Sequence, residues 1–294
     1  MGKRRKLSQK GPANAPKSGS GKPQHKNAPG QKHHTTGGSK ATPKPAKPAH
    51  KQQQHEEPTI PFAPEDKILL VGDGDLSFAA SLVEHHYCAD VTATVLEKDV
   101  EELREKYPHV EENIAKIEAE DSRVWYNVDA TKMGPYTDKK GKDGVGIMDR
   151  IIFNFPHVGG KSTDVNRQVR YNQEMLVSFF QRATLSLAPE GTIIVTLFEG
   201  EPYTLWNIRD LGRHSGLQVV RSFKFQASAY PGYHHARTLG VVRNKDGEIG
   251  GGWKGEERPS RSYVFVRKDE VPKPTAHKTK KRVRDGDGDS SDDD

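Results

Sequence analysis

Four consecutive apolar residues, Ile68-Leu69-Leu70-Val71, run straight into Gly72-Asp73-Gly74-Asp75-Leu76-Ser77-Phe78. An apolar-periodic segment follows through Leu82 and Val83. A short apolar run, a glycine-rich break and a change to helical period describe a buried parallel strand, a tight loop and a helix. That order sets a strong limit on the fold, because a parallel strand needs a crossover and partners on both sides. The glycines let the backbone turn with positive φ and approach a ligand closely, and the helix start offers unpaired N–H groups.

The loop also excludes ligands. It has no Gly-Lys-Ser/Thr ending to hold a triphosphate, and Phe78 stands where a dinucleotide fingerprint needs small residues. Asp73 and Asp75 would repel phosphate. They suit a ligand with cationic and hydroxyl groups, such as S-adenosylmethionine with its ammonium, sulfonium and ribose. The plainer alternative is a strand-to-helix turn with Asp75 as its cap.

Composition divides the chain. It has 294 residues, 32% of them hydrophobic, with a formal charge of +6; the pI is about 9.1 and the mean hydropathy −0.85. Residues 1–57 are rich in Lys, Pro, Gly, Gln and His, with no acid before Glu56. Such a segment cannot bury enough surface to offset its ordering entropy, so a disordered basic tail is expected. A second tail, 269–294, joins a basic cluster at 278–284 to an acidic end. Lys3-Arg4-Arg5-Lys6 suggests import to the nucleus and nucleolus and loose contact with RNA. The scattered tail histidines do not make a metal site. The single cysteine, Cys88, excludes an internal disulfide and any Cys-x-x-Cys metal site, pointing to a reducing compartment. No membrane span is expected. For oligomeric state, a monomer is the default expectation.

The folded domain is expected over 58–268. After the helix that ends near His86, Val91 to Leu96 reads as a second strand delivering Glu97, placed to accept from both ribose hydroxyls of a nucleoside ligand. Leu103, Tyr107, Val110, Ile114 and Ile117 form a stripe interrupted by Pro108, so two helical pieces are expected. Arg123 to Val128 reads as a third strand delivering Asp129, able to accept from an adenine amine or simply to cap a turn. Asp149 onward reads as a fourth strand that opens into Asn154-Phe155-Pro156-His157-Val158-Gly159-Gly160. In an open α/β sheet this strand lies beside the first across the topological switch point, so its end faces the reactive part of a ligand. Asn154 can both donate and accept at a base edge, and His157 can act as a base or a nucleobase contact.

Lys161 to Arg170 reads as a mobile lid or phosphate contact. Val169 to Leu187 reads as a core helix stopped by Pro189-Glu190-Gly191, and Thr192 to Phe198 as the fifth strand. A helix over Leu205 to His214 and strands over Leu217 to Phe225 and Ser262 to Arg267 complete the domain. Between the last two strands, Ala229 to Thr238 mixes Tyr230, Tyr233, His234 and Arg237, a candidate RNA-facing loop because aromatic faces stack on splayed bases. The alternation of strand and helix gives an α/β class: a doubly wound, mostly parallel, Rossmann-like sheet.

Gly72 to Phe78, Lys106-Tyr107-Pro108, Asp129-Ala130-Thr131 and Asn154 to Gly160 together resemble the nucleolar large-subunit rRNA (uridine-N3)-methyltransferase family. The similarity extends to Phe179-Phe180, Gly191 and Gly232-Tyr233, covering roughly 67–267. It implies a class I methyltransferase fold, S-adenosylmethionine as donor and N3 of an rRNA uridine in a pre-ribosomal particle as acceptor. Glu97 departs from the aspartate more usual there, keeping a carboxylate of longer reach. The expected donor contacts are Gly72, Asp73, Gly74, Asp75, Ser77, Phe78, Glu97 and Asp129. His157, Asn154 and Asp75 are the candidates for chemistry, with His157 as the base that takes the N3 proton and Asp73 or Asp75 as fallback. Phe155, Pro156, Lys161, Tyr233, His234 and Arg237 are the expected substrate contacts, and no metal is required. Two other readings stay open: methylation at another RNA base position, and a non-catalytic RNA-binding assembly factor.

Overall fold

The computed structural model describes residues 57–270, apart from 120, 142, 161 and 242–253. The expected tails, except for Glu57, Asp269 and Glu270, and the candidate contact Lys161 lie outside the described residues.

The first strand, β1 (Lys67–Val71), is buried along its last four residues. Its alternate side chains serve opposite faces, as the period of two requires. Ile68 and Leu70 pack with Phe78, Leu82, Val110 and Ile117, from α1 (Ser77–His86) and α3 (Val110–Glu118). Leu69 and Val71 pack with Leu176, Phe179 and Phe180 of α4 (Val165–Ser186) and Ile208 of α5 (Ile208–His214). Helices therefore cover both faces, which explains why β1 reads as an unbroken apolar run.

Beside β1 lie β2 (Asp90–Thr94) and, beyond it, β3 (Arg123–Trp125), both parallel. The helix α2 (Val100–Lys106) precedes α3, with Pro108 between them as expected. On the other side of β1 runs β4 (Met148–Asn154), also parallel. It is followed by β5 (Leu187–Phe198), β6 (Leu217–Lys224) and β7 (Ser260–Arg267), giving the order β3-β2-β1-β4-β5-β7-β6. β7 is antiparallel to both of its neighbours. The sheet is thus doubly wound, with the switch point between β1 and β4.

Several boundaries differ from those read in the sequence. β5 begins at Leu187, directly after α4, so Pro189-Glu190-Gly191 lies inside a strand. Glu190 has φ +63°, and the register with β4 shifts between Met148 and Arg150. The helix-stop signal is here an irregularity in the ladder. The expected helix 205–214 is a 3-10 turn at Tyr203–Trp206 and then α5, divided by Asn207 at φ +52°. β2 and β3 stop early, which leaves Glu97 and Asp129 on loops past the strand ends.

Candidate active site

The Gly-Asp-Gly-Asp loop is held from both ends. The Asp73 N–H donates to the Thr94 carbonyl, and its carbonyl accepts from the Leu76 N–H. Its carboxylate Oδ2 accepts from the Ala79 N–H at 2.8 Å, in the first turn of α1. Burial, and then the neighbouring Asp75, raise the Asp73 pKa from 3.8 to about 7. Asp75 is also raised by burial, while its Oδ1 accepts from the Ser77 N–H at 3.1 Å. Leu76 stands at the N-cap without a side-chain cap, so the helix start is served from outside it: Asp75 takes the Ser77 N–H and Asp73 the Ala79 N–H. Gly72 sits at φ +66°, where a Cβ would meet Phe153 at 3.0 Å, and a Cβ on Gly74 would meet the Tyr107 hydroxyl at 3.1 Å. These two glycines keep the cradle open.

Past β2, Glu97 is 6% exposed and its Oε1 receives the Lys106 ammonium at 2.7 Å. Lys106 was not singled out as a site residue in the sequence, because it closes a highly charged helix and lies nine positions away, with no periodic relation to Glu97. Past β3, Asp129 Oδ1 accepts from the N–H and hydroxyl of Thr131, and Oδ2 pairs with Lys132 at 3.1 Å. Burial alone would raise Asp129, but these hydrogen bonds and the Lys132 charge outweigh it and hold the carboxyl below its usual range. It caps its turn, as the plainer reading had it, while still lining the cavity.

The Asn-Phe-Pro-His loop follows β4. Phe155 has φ +50°, and Leu76 on the first loop has φ +61°. Left-handed backbone at non-glycine residues costs of order 1–3 kcal/mol and tends to gather at functional sites. The Phe155 ring packs 4.5 Å from Phe198 and 4.4 Å from His235, which braces the loop, and it also lines the cavity. His157 Nδ1 accepts from the Gly159 N–H at 2.9 Å. Burial lowers its pKa below 6.5, so the ring is neutral at neutral pH and carries its proton on Nε2. In this arrangement His157 presents a donor, and it can take a proton only by releasing Gly159. Two α4 residues missed in the sequence fix the loop. Asn172, fully buried, accepts from the Val158 N–H at 3.0 Å and donates to the Gln168 carbonyl at 2.8 Å; Gln168 in turn donates to the Gly159 carbonyl. A lone polar pair on an apolar helix face was the available signal.

The stretch read as an RNA-facing loop is tied across the first loop. The Ser77 hydroxyl donates to the His234 carbonyl and accepts its N–H, both at 3.0 Å. The Tyr107 hydroxyl donates to the Arg237 carbonyl at 2.7 Å, and the Val241 N–H reaches the Lys106 carbonyl. Tyr233 packs edge-on to Phe78 and Phe225, and its hydroxyl meets His235 Nδ1 at 3.1 Å. Ser77 is thereby corrected from a ligand contact to a buried clip. Phe78, 2% exposed, belongs to the aromatic core at the cavity wall. Neither Ser77 nor Arg237 lines the cavity, whereas Tyr233 and His234 do.

These pieces enclose one cavity of about 490 Å³. Gly72, Asp73, Gly74, Asp75, Glu97 and Asp129 line it from the ends of β1, β2 and β3, and Asn154, Phe155, Pro156 and His157 from the end of β4. The cradle kept open by Gly72 and Gly74, with carboxylates facing it, fits an elongated ligand carrying an ammonium and a ribose. Sheet order and cavity together define a class I, S-adenosylmethionine-dependent methyltransferase. The family model described as rRNA (uridine-N3-)-methyltransferase BTM5-like, or BMT5-like, matches residues 69–237. The 25S rRNA (uridine(2634)-N(3))-methyltransferase of Saccharomyces cerevisiae is 30% identical over 288 residues, covering 81% of this chain and 83% of the yeast one. The chain belongs to this BMT5-like family. The human ferredoxin-fold anticodon-binding domain-containing protein 1 is 30% identical over 179 residues, 57% of this chain and 27% of the human one. A putative methyltransferase from Thermoplasma acidophilum superposes at 13% identity over 70% of each chain, with a TM-score of 0.39.

Proposed function

We infer that this chain methylates N3 of a uridine in large-subunit rRNA, with S-adenosylmethionine as donor. The observation that carries the reading is the single cavity shared by the acidic ends of β1, β2 and β3 and the Asn-Phe-Pro-His loop of β4. When bound, S-adenosylmethionine supplies a sulfonium methyl group that passes to N3 while the C–S bonding electrons stay on sulfur. Asp73 would hold the ammonium end of the donor, Glu97 the ribose hydroxyls and Asp129 the adenine amine.

N3 lies between the two uracil carbonyls on the Watson–Crick edge, so the base enters single-stranded or flipped. Asn154, at the end of β4, holds one carbonyl. His157 donates from Nε2 to the other and stabilises the negative charge that spreads onto the carbonyls as the N3 proton leaves to solvent. This replaces the expected general base with a donor, because the acceptor nitrogen of the ring is occupied. The clamp by Asn172 and Gln168 holds the Val158-Gly159 backbone that follows His157, and alignment of N3 with the methyl group removes much of the entropic barrier.

The domain that carries this activity spans 58–268. The basic stretches at 3–6 and 278–284 support a nuclear and nucleolar protein that acts on a pre-ribosomal particle. Incubation of the full-length protein with large-subunit rRNA and S-adenosylmethionine, followed by nucleoside mass spectrometry, tests the function. It should yield 3-methyluridine; methylation of another base would transfer the reading to a different acceptor, and no donor binding would leave an RNA-binding assembly factor.

A further inference from the structure

Beyond the cavity, the end of β5 opens a second groove of about 290 Å³, lined in part by Phe198, Tyr203, Asn207, Arg209 and Tyr263. Phe198 forms the wall between the two sites. Its ring lies 4.5 Å from Phe155, on the catalytic loop, and 5.3 Å from Tyr203, in the groove. Two arginines flank the groove, each laid on an aromatic ring. The Arg258 guanidinium carbon is 4.2 Å from the Phe198 centroid and 5.6 Å from that of Tyr203. That of Arg209 is 5.6 Å from Tyr263, with a hydrogen bond to the Ser222 hydroxyl at 3.3 Å. Among the described residues neither arginine has a carboxylate partner, and Glu199, the acid on the groove, is already engaged by Arg261 at 2.8 Å.

A guanidinium laid over an aromatic face and without a carboxylate partner matches a phosphodiester and has already lost much of its rotamer freedom. Single-stranded RNA is held by this combination of aromatic platform and uncompensated positive charge. We propose that the groove receives the nucleotide adjoining the target uridine, its base against Tyr203 and its phosphate on Arg209 and Arg258. The inference rests on the uridine-methyltransferase reading, and it names how the strand is held once the target leaves its stack. An adjoining base held apart from the target keeps the N3 edge exposed to Asn154 and His157.

The test uses full-length protein, S-adenosylmethionine and a transcript of large-subunit rRNA, comparing wild type with the Arg209→Gln/Arg258→Gln double variant and with Tyr203→Ala. Each variant should raise the KM for RNA by about tenfold or more, the range of a lost stacked base or phosphate contact. The double variant should lower the slope of log affinity against log salt by about 1.4, two single-strand contacts at about 0.7 each. Donor affinity, measured by calorimetry, should stay at the wild-type value and so report an intact fold. Ultraviolet crosslinking should place RNA on the peptide containing Tyr203. A salt slope and RNA KM within about twofold of wild type, or crosslinks that avoid this peptide, would overturn the proposal. So would RNA binding that is unchanged while association with a ribosomal protein is lost. If wild type transfers no methyl group to rRNA, the functional reading fails, while the salt slope and crosslinks still decide the groove.

Discussion

Replacing Asp73 with asparagine separates donor recognition from folding. The asparagine oxygen can still accept from the Ala79 N–H, now at 2.8 Å, so the helix contact survives while the charge is lost. In wild type the carboxyl, raised by burial and by Asp75, titrates near 7. Pairing with the donor ammonium requires the ionised form, so affinity should rise with pH through that value. The ionised fraction falls from about 0.5 at pH 7 to about 0.03 at pH 5.5, which predicts a loss of about sixteenfold in affinity, or about 1.6 kcal/mol. Binding at pH 7 should release about half a proton. The measurement stays on the acid side because an α-amino group itself begins to deprotonate near 7.7. The Asp73→Asn variant should bind the donor at least tenfold more weakly at pH 7 and show a flat profile. For stability the sign is opposite. A carboxyl raised in the folded state favours the fold while protonated and disfavours it as pH rises from 3.8 towards about 7. Without donor, the asparagine variant should therefore melt at a higher temperature than wild type at pH 7.5. Calorimetry in two buffers of different ionisation heat, with thermal melts beside it, reads all of this. A wild-type affinity constant within about twofold between pH 5.5 and 7, with no proton released, would refute the assignment of Asp73 to the ammonium.

Glu97→Gln should weaken donor binding by about 1.5–3 kcal/mol, ten- to a hundredfold, with RNA affinity unchanged; equal donor affinity would move the ribose contact to another residue. His157→Ala should lower turnover by about 10²–10³, the size of a lost hydrogen bond to developing charge, without changing donor affinity. Because burial holds His157 neutral, the wild-type rate should climb through neutral pH without a break below 6.5, whereas a break there would restore the histidine as base. Asn172→Leu should cost about 1–3 kcal/mol of stability by orphaning the Val158 N–H and should also reduce turnover, both read by denaturant melts and single-turnover assays. Removing 1–57 should leave donor affinity intact and reduce the salt dependence of RNA binding; loss of donor binding would contradict a self-contained domain.

The parts of the fold legible in the sequence are those set by local pattern. β1 reads as an unbroken apolar run because both its faces are covered, β4 carries a shorter one at Ile151-Ile152-Phe153, and α4 showed its stripe at Leu176, Phe179 and Phe180. The insertion of β7 between β5 and β6 is a long-range pairing that periodicity does not encode. Pro189-Glu190-Gly191 misled because the signals that stop a helix also serve an irregular strand start. At the cavity, the carboxylates and the Asn-Phe-Pro-His loop were legible because each follows a strand end. The roles of their neighbours were not. Ser77 binds the backbone of His234, 157 positions away, and Lys106, at the end of α2, meets Glu97 only once that helix folds back over the end of β2. Which nitrogen of His157 is occupied depends on the backbone at Gly159, a geometric fact with no trace in residue type.

The central claim is tested most directly by nucleoside mass spectrometry of large-subunit rRNA from cells lacking this gene. The cells would be complemented with wild type, Asp73→Asn or His157→Ala. The account predicts that 3-methyluridine is lost from one position in the deleted cells, is restored by wild type, and stays absent or strongly reduced with either variant. An unchanged 3-methyluridine content in cells without the gene would contradict it.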